Sequence, residues 1–347
     1  MVSTMDGVVS NPGPQELITD WYIPAEDPPS GWVYPGPQRI GESPELILIA
    51  NELADACAEC ESEEFVVRAS LRTYRGHRMD TVDGCIYSLR KVPSFIPEFA
   101  RLGLSPGIQR IMLSGKLSSG GLLIVSGETG QGKSTTCASF LKARLEQFGS
   151  FCLTLENPPE LPLHGFHGER QGVCVQTDVK AGHFGEALRG AVRCYPTQGN
   201  SILFVGEVRD PETAGEALRI AMNGHLVVTS IHGGDIIGAM KRMLSLAQAH
   251  PGMGDAEARS VLSTAFRLLV HQRLSDGKNG AKRLEAQILF SPNQTSPVAN
   301  RIREGKVDGL STEIQQQERL IQSGQTDRLM SLWDAPMASP GLPGTER

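Results

Sequence analysis

No stretch of the 347 residues is apolar for long enough to cross a bilayer. The longest runs, such as Leu122–Val125 and Leu226–Val228, fall far short of the roughly 20 residues that a membrane helix needs. The N-terminus is acidic and carries no basic-then-apolar leader, so the expectation is a cytosolic protein with no transmembrane segment of its own. Aromatic residues are scarce, at 5%, which leaves few platforms on which single-stranded bases could stack. Positive charge is not in excess either: 33 Lys and Arg stand against 39 Asp and Glu, a net charge of -6, and nucleic-acid binding is unsupported. Cysteine is odd in number, seven, and without an export signal these read as reduced thiols, not a disulfide framework. Cys57 and Cys60 are the only close pair. With no second pair, and within the amphipathic pattern Glu45–Cys57, they read as helix packing and not as a metal site. No repeat or low-complexity tract interrupts the chain.

One segment is dense with meaning. An apolar strand, Gly121–Ser126, runs straight into Gly127-Glu128-Thr129-Gly130-Gln131-Gly132-Lys133-Ser134-Thr135, and a helical pattern follows. The spacing Gly127-x4-Gly132-Lys133-Ser134 lets the backbone N–H groups of a glycine-rich turn and a helix N-terminus converge on a β-phosphate. Glycine is needed because a Cβ would strike the phosphate or forbid the positive φ that aims the N–H groups inward. Lys133 is the mobile positive charge for the β- and γ-phosphates, and the Ser134 hydroxyl is the expected Mg²⁺ ligand. The chain is expected to bind ATP and Mg²⁺ through residues 127–135.

Around this loop the chain reads as an ordered series. Residues 1–42 are rich in Pro and Gly and suggest a loosely structured arm. Its aromatic residues Trp21, Tyr22, Trp32 and Tyr34 either dock on a partner or cover the protein's own core. Residues 43–105 read as a small α+β domain: a helix ending near Cys60, then strands 65–71 and 84–89 separated by an arginine-rich turn. A break in periodicity between Pro93 and Pro106 marks the domain boundary. Residues 106–330 alternate short apolar strands with helices: helix 134–148, strands 150–155 and 173–176, helix 184–194, strand 202–205, helix 211–222 and strand 226–231. That alternation implies a mostly parallel sheet covered on both faces, with ligands at its carboxyl edge. Two helical segments are expected from Arg301 on, around a break at Asp308-Gly309, and residues 331–347 read as a disordered tail.

A phosphate loop needs acids at neighbouring strand ends to hold Mg²⁺ and to orient the attacking water. Two segments supply them: Leu153-Thr154-Leu155-Glu156-Asn157-Pro158-Pro159-Glu160, and Phe204-Val205-Gly206-Glu207-Val208-Arg209-Asp210. Together with Gly224-His225 through Ile231-His232, these motifs resemble, in type, order and spacing, those of the PilT-like secretion and type IV pilus ATPase superfamily, over about Phe65 to Lys306. The resemblance implies a RecA-like P-loop NTPase core preceded by a small α+β domain. It implies that Glu207 is the catalytic carboxylate and a metal ligand, that Glu156 and Glu160 assist, and that His225 and His232 sense the γ-phosphate or link the site to a neighbouring subunit. Asn157 departs from the family's usual aspartate, although Glu156 and Glu160 leave two negative charges there. The segments around Arg68, Arg75 and Arg90 resemble the family strands whose arginines reach a neighbour's nucleotide, a task that suits an always-ionised guanidinium. Taken alone, each is more often a solvated surface charge; Arg72 and Arg78 fit less well.

The resemblance implies a Mg²⁺-dependent ATPase that forms a homohexamer and works at the cytoplasmic face of an inner-membrane pilus or secretion complex, type IV or type II. Two alternatives stay open: a RecA-like nucleic-acid motor, and a non-catalytic ring locked by nucleotide.

Overall fold

The computed structural model describes residues 18–333, apart from 71, 181, 198 and 277–281. The first 17 residues of the expected arm, and the expected disordered tail from 334 on, lie outside the described residues. Two compact units are present. One comprises the described residues up to Phe95 together with Glu160–Pro162, the other Ile96–Pro159 and the described chain from Leu163.

The first unit holds β1 (Asp20–Pro24), β2 (Trp32–Tyr34), β3 (Gln38–Arg39), α1 (Pro44–Ala58), β4 (Glu64–Ala69), β5 (Arg72–Thr81) and β6 (Gly84–Lys91). Its strands form one antiparallel sheet in the order β3-β2-β1-β6-β5-β4. Two expectations are corrected here. Residues 20–39 are not a loose arm: alternation in Asp20–Pro24 sends Trp21 and Ile23 into the core at 2% and 0% exposure, and β1 zips along β6 from Asp20↔Arg90 to Pro24↔Ile86. The arginine-rich turn is instead the ten-residue strand β5, whose Tyr74 is buried while Arg75 sits on the other face. Helix α1 opens where Ser43 Oγ accepts the Leu46 N–H, with proline in its first turn, the usual start signal. Its buried stripe includes Cys57, whose thiol pKa burial pushes up to about 12, an inert packing residue.

The second unit contains α2 (Pro106–Met112), β7 (Gly121–Gly127), α3 (Lys133–Phe148), β8 (Phe151–Glu156), β9 (Gly165–His167), β10 (Gly172–Asp178), α4 (Phe184–Ala191), β11 (Ser201–Val205), α5 (Pro211–Met222), β12 (Leu226–His232), α6 (Ile236–Gln248), α7 (Asp255–Ala265), β13 (Phe266–Asp276), β14 (Lys282–Phe290), α8 (Pro297–Arg303), α9 (Ser311–Gln322) and α10 (Thr326–Ser331). The sheet order is β14-β13-β7-β12-β11-β8-β10-β9. The six central strands run parallel, and only the edge strands β14 and β9 are antiparallel. The expected mostly parallel α/β core is therefore present. All of β7 is buried, as a central strand covered on both faces must be.

The division between units falls at Phe95/Ile96, ten residues before the boundary expected at 105. Phe99 explains it, because its ring lies 5.9 Å from that of Phe140 on α3. Arg144, also on α3, is 1% exposed, and burial alone lowers its pKa to about 10. It donates to the Met112 and Ser114 carbonyls and to Ser118 Oγ, and its guanidinium lies 4.6 Å from the Phe148 ring centre. A buried cation with several carbonyl and hydroxyl partners fixes the segment leading into β7 onto the helix behind the loop.

Candidate active site

In a parallel sheet the carboxyl ends of the strands share one edge, and that edge gathers most of the expected residues. β7 ends at Gly127, whose register partner is His232 at the end of β12. β8 ends at Glu156, and Glu207 follows the end of β11 by two residues. The chain beyond β11 is tied into its neighbours: Gly206 N–H donates to the Leu155 carbonyl at 2.9 Å, Val208 N–H to the Ser230 carbonyl at 3.1 Å, and Ser230 Oγ to the Gly206 carbonyl at 2.6 Å. Those bonds fix where Glu207 stands.

The loop itself is built for an anion. Gly130 and Gly132 both take φ of 77°, a conformation that disfavours a Cβ, and Gly132 is the N-cap of the 16-residue helix α3. Glu128, Thr129 and Ser134 lie on or beside this turn, with Thr135 in the first turn of α3. Lys133 is 8% exposed. Its Nζ donates to the Gly127 and Glu128 carbonyls at 3.0 and 2.8 Å and lies 3.4 Å from His232 Nδ1. On its other side, His232 Nε2 stands 3.1 Å from Glu207 Oε1. An ammonium can only donate, so Nδ1 must accept and Nε2 must carry the proton toward the carboxylate. The result is a directional chain, Lys133 to His232 to Glu207. Burial lowers the His232 pKa, with Lys133, Arg242 and Arg209 pushing the same way and Glu207 opposing, and the neutral ring is the form this chain requires.

Arg209 donates from both Nε and a terminal nitrogen to Glu207 Oε2 at 2.8 Å. Glu156 is buried at 7% exposure and accepts from Gln176 Nε2 at 2.8 Å. Among the described residues no cluster of three or more His, Cys, Asp or Glu could hold a metal alone. Ser134, Glu207 and Glu156 carry only oxygen donors, the chemistry that suits Mg²⁺ shared with phosphate oxygens and water.

Not every expected residue joins this edge. One of the two readings of His225, a γ-phosphate sensor, is corrected: its carbonyl accepts the Gly121 N–H at the start of β7, the opposite edge, roughly 20 Å from the loop by strand rise. There it stacks on Tyr195 at 4.7 Å and bonds Ser201 Oγ, which excludes contact with a phosphate held by its own loop. Gln131 turns its side chain away from the loop's mouth and accepts the Leu274 N–H. Glu160, Arg68, Arg75 and Arg90 belong to the first unit. There Arg75 holds Glu160 at 3.0 Å, Arg90 holds Asp20 at 2.7 Å, and Arg68 is exposed on β4. Arg75 and Arg90 are register partners on β5 and β6, so they share one face. Arg209, Gln176, His271 and Gln272 were given no role from the sequence. The last two lie about 140 residues beyond the loop and carry no motif.

Residues 64–323 match the family described as "Type II/IV secretion system protein". The chain is similar to "Uncharacterized protein YggR" of Escherichia coli (30% identity; 70% of this chain, 69% of YggR). It is similar to a "Twitching motility protein" of Neisseria gonorrhoeae (30% identity; 70% of this chain, 61% of the relative). Among solved structures, "the Pilus Retraction Motor PilT and Bound ADP" superposes with a TM-score of 0.67 at 26% identity, over 94% of this chain and 92% of that one. With its phosphate loop, strand-end acids and two-unit fold, the chain belongs to the type II/IV secretion ATPase family.

Proposed function

We propose that the chain is a Mg²⁺-dependent ATPase motor that assembles as a homohexamer at the cytoplasmic face of an inner membrane and drives a type IV pilus or a type II/IV secretion or conjugation machine. The observation that carries the chemical part is the chain from Lys133 through His232 to Glu207, which joins the phosphate loop to a strand-end acid across two neighbouring strands. Likeness to a solved retraction motor holding ADP supports the nucleotide and the mechanical output. No helix among the described residues is long and apolar enough to cross a membrane, which is consistent with a partner in the membrane and a peripheral motor.

In this reading the loop's N–H groups and the start of α3 hold the β-phosphate. Lys133 exchanges the Gly127 and Glu128 carbonyls for phosphate oxygens. His232, released from Lys133, is free to turn a ring N–H toward the γ-phosphate, and Glu207 accepts a hydrogen bond from the attacking water and orients it. Ser134 and Glu207, with Glu156 beside them, would hold Mg²⁺, which supplies charge neutralisation to the phosphates. Arg68, Arg75 and Arg90 are proposed to reach the nucleotide of a neighbouring subunit, with Glu160 serving meanwhile as the partner of Arg75.

The test is phosphate release by the purified chain with ATP and Mg²⁺, beside Lys133→Ala. The parent should turn over and the variant should not. Equal phosphate release by both, or binding without release by the parent, overturns the proposal. Acceleration by single-stranded DNA, lost at high salt, would point to a nucleic-acid motor instead.

A further inference from the structure

The phosphate loop is fastened from behind by a strand far away in sequence. β13 pairs with β7 in parallel as far as His271↔Ser126, and there Ser126 Oγ meets His271 Nδ1 at 3.0 Å. Where β7 ends and the loop begins, side-chain bonds replace the backbone ladder. Gln272 Nε2 donates to the Gln131 carbonyl, and the Leu274 N–H donates to Gln131 Oε1, both at 2.5 Å. The strand also presses on the loop's first glycine: a Cβ on Gly127 would stand 2.6 Å from the Gln272 carbonyl oxygen.

Gln272 is 1% exposed, and its Oε1 is buried with no hydrogen-bond partner among the described residues. One bond from the amide nitrogen does not offset a buried acceptor left bare, so stability alone would favour an apolar side chain of the same size. What the amide does provide is a donor aimed at one carbonyl of the loop.

We propose that β13 is the template that sets the phosphate loop in its anion-binding shape, with Gln272 and Gln131 as positioning residues for nucleotide capture. Gln131 is then a strap to β13 and not a nucleotide contact, and the loop meets phosphate already ordered, which saves the ordering cost at binding. The inference rests on the ATPase reading of the same loop.

The experiment compares the full chain with Gln272→Met and Gln131→Met, which keep volume and lose one bond each, and with the double variant. The readouts are thermal unfolding, ADP affinity by calorimetry, and steady-state kinetics with ATP and Mg²⁺. The template role predicts that Gln272→Met melts at or above the parent temperature while ADP binding weakens about tenfold and the KM for ATP rises similarly, with kcat within about twofold. Gln131→Met should weaken ADP binding and raise the KM for ATP in the same way, with a small loss of melting temperature from the lost Leu274 N–H bond. The double variant should be little worse than the weaker single, because a loop loosened once has less left to lose. ADP affinity unchanged in both single variants overturns the inference, as does, in Gln272→Met, a loss of affinity matched by a loss of melting temperature. If Gln272→Met does not fold, Gln131→Met decides alone. A parent chain that takes up no ADP overturns the nucleotide reading itself, and this inference with it.

Discussion

At the scale of single residues, Glu207 concentrates the most chemistry. It receives Arg209 on one oxygen and His232 on the other, which fixes its orientation while lone pairs remain on the carboxylate to accept a hydrogen bond from water. Glu207→Gln keeps the shape and loses the charge. It should bind ATP as the parent does and hydrolyse it at least ~10²-fold more slowly, the usual effect of losing a positioned catalytic group; turnover near the parent's would remove Glu207 from the mechanism. His225 also bears on stability. Burial lowers its pKa below the ordinary 6.5, so the unfolded chain takes up a proton before the folded one does. Stability from this group is complete above 6.5 and is lost as the pH falls through the folded value. His225→Phe should keep the stack on Tyr195 and shrink the drop in melting temperature between about pH 7.5 and about pH 5.5. It should not abolish that drop, because His232 and His271 are lowered by burial as well.

At the scale of elements, what a sequence shows depends on how local the signal is. Strand β7 was legible because a run buried on both faces is apolar throughout, and α5 because Asp210 caps it, accepting the Thr213 N–H at 2.8 Å, and Pro211 opens it. Strand β5 was not: it spaces Tyr74 among Arg72, Arg75 and Arg78, and only pairing with β4 and β6 makes so charged a segment extended. The segment 20–39 is illegible for a related reason, since Pro28, Pro29 and Pro35 flag turns, while β1 gains its hydrogen bonds from β6, more than fifty residues on, and in turn gives β2 an edge to pair with. Within the site, the loop and its acids were legible as spaced patterns. The Gln131–Gln272 contact spans 141 residues and has no pattern to show. If β1 is part of the core and not an arm, Trp21→Ala should cost about 3–5 kcal/mol, as large-to-small changes of buried aromatics do. Denaturant unfolding followed by circular dichroism checks this, and a cost below about 0.5 kcal/mol, the level of a surface change, would return residues 20–24 to the arm.

At the scale of the whole molecule, the proposed ring makes a claim that neither unit can satisfy alone: an active site completed by another copy of the chain. Glu207 lies in the second unit and Arg75 in the first, so the two substitutions can be placed in different subunits. Each of Glu207→Gln and Arg75→Ala should be nearly inactive by itself. Mixed in equal amounts and allowed to exchange, subunits of the two kinds take their places in the ring at random. A site is whole wherever an Arg75→Ala subunit supplies Glu207 and a Glu207→Gln neighbour supplies Arg75, which happens at about a quarter of the interfaces of a closed ring. The mixture should therefore recover up to about a quarter of the parent's turnover, falling on dilution as the ring comes apart. If Arg75 instead served the nucleotide of its own subunit, every site would lack one residue or the other, and mixing would restore nothing.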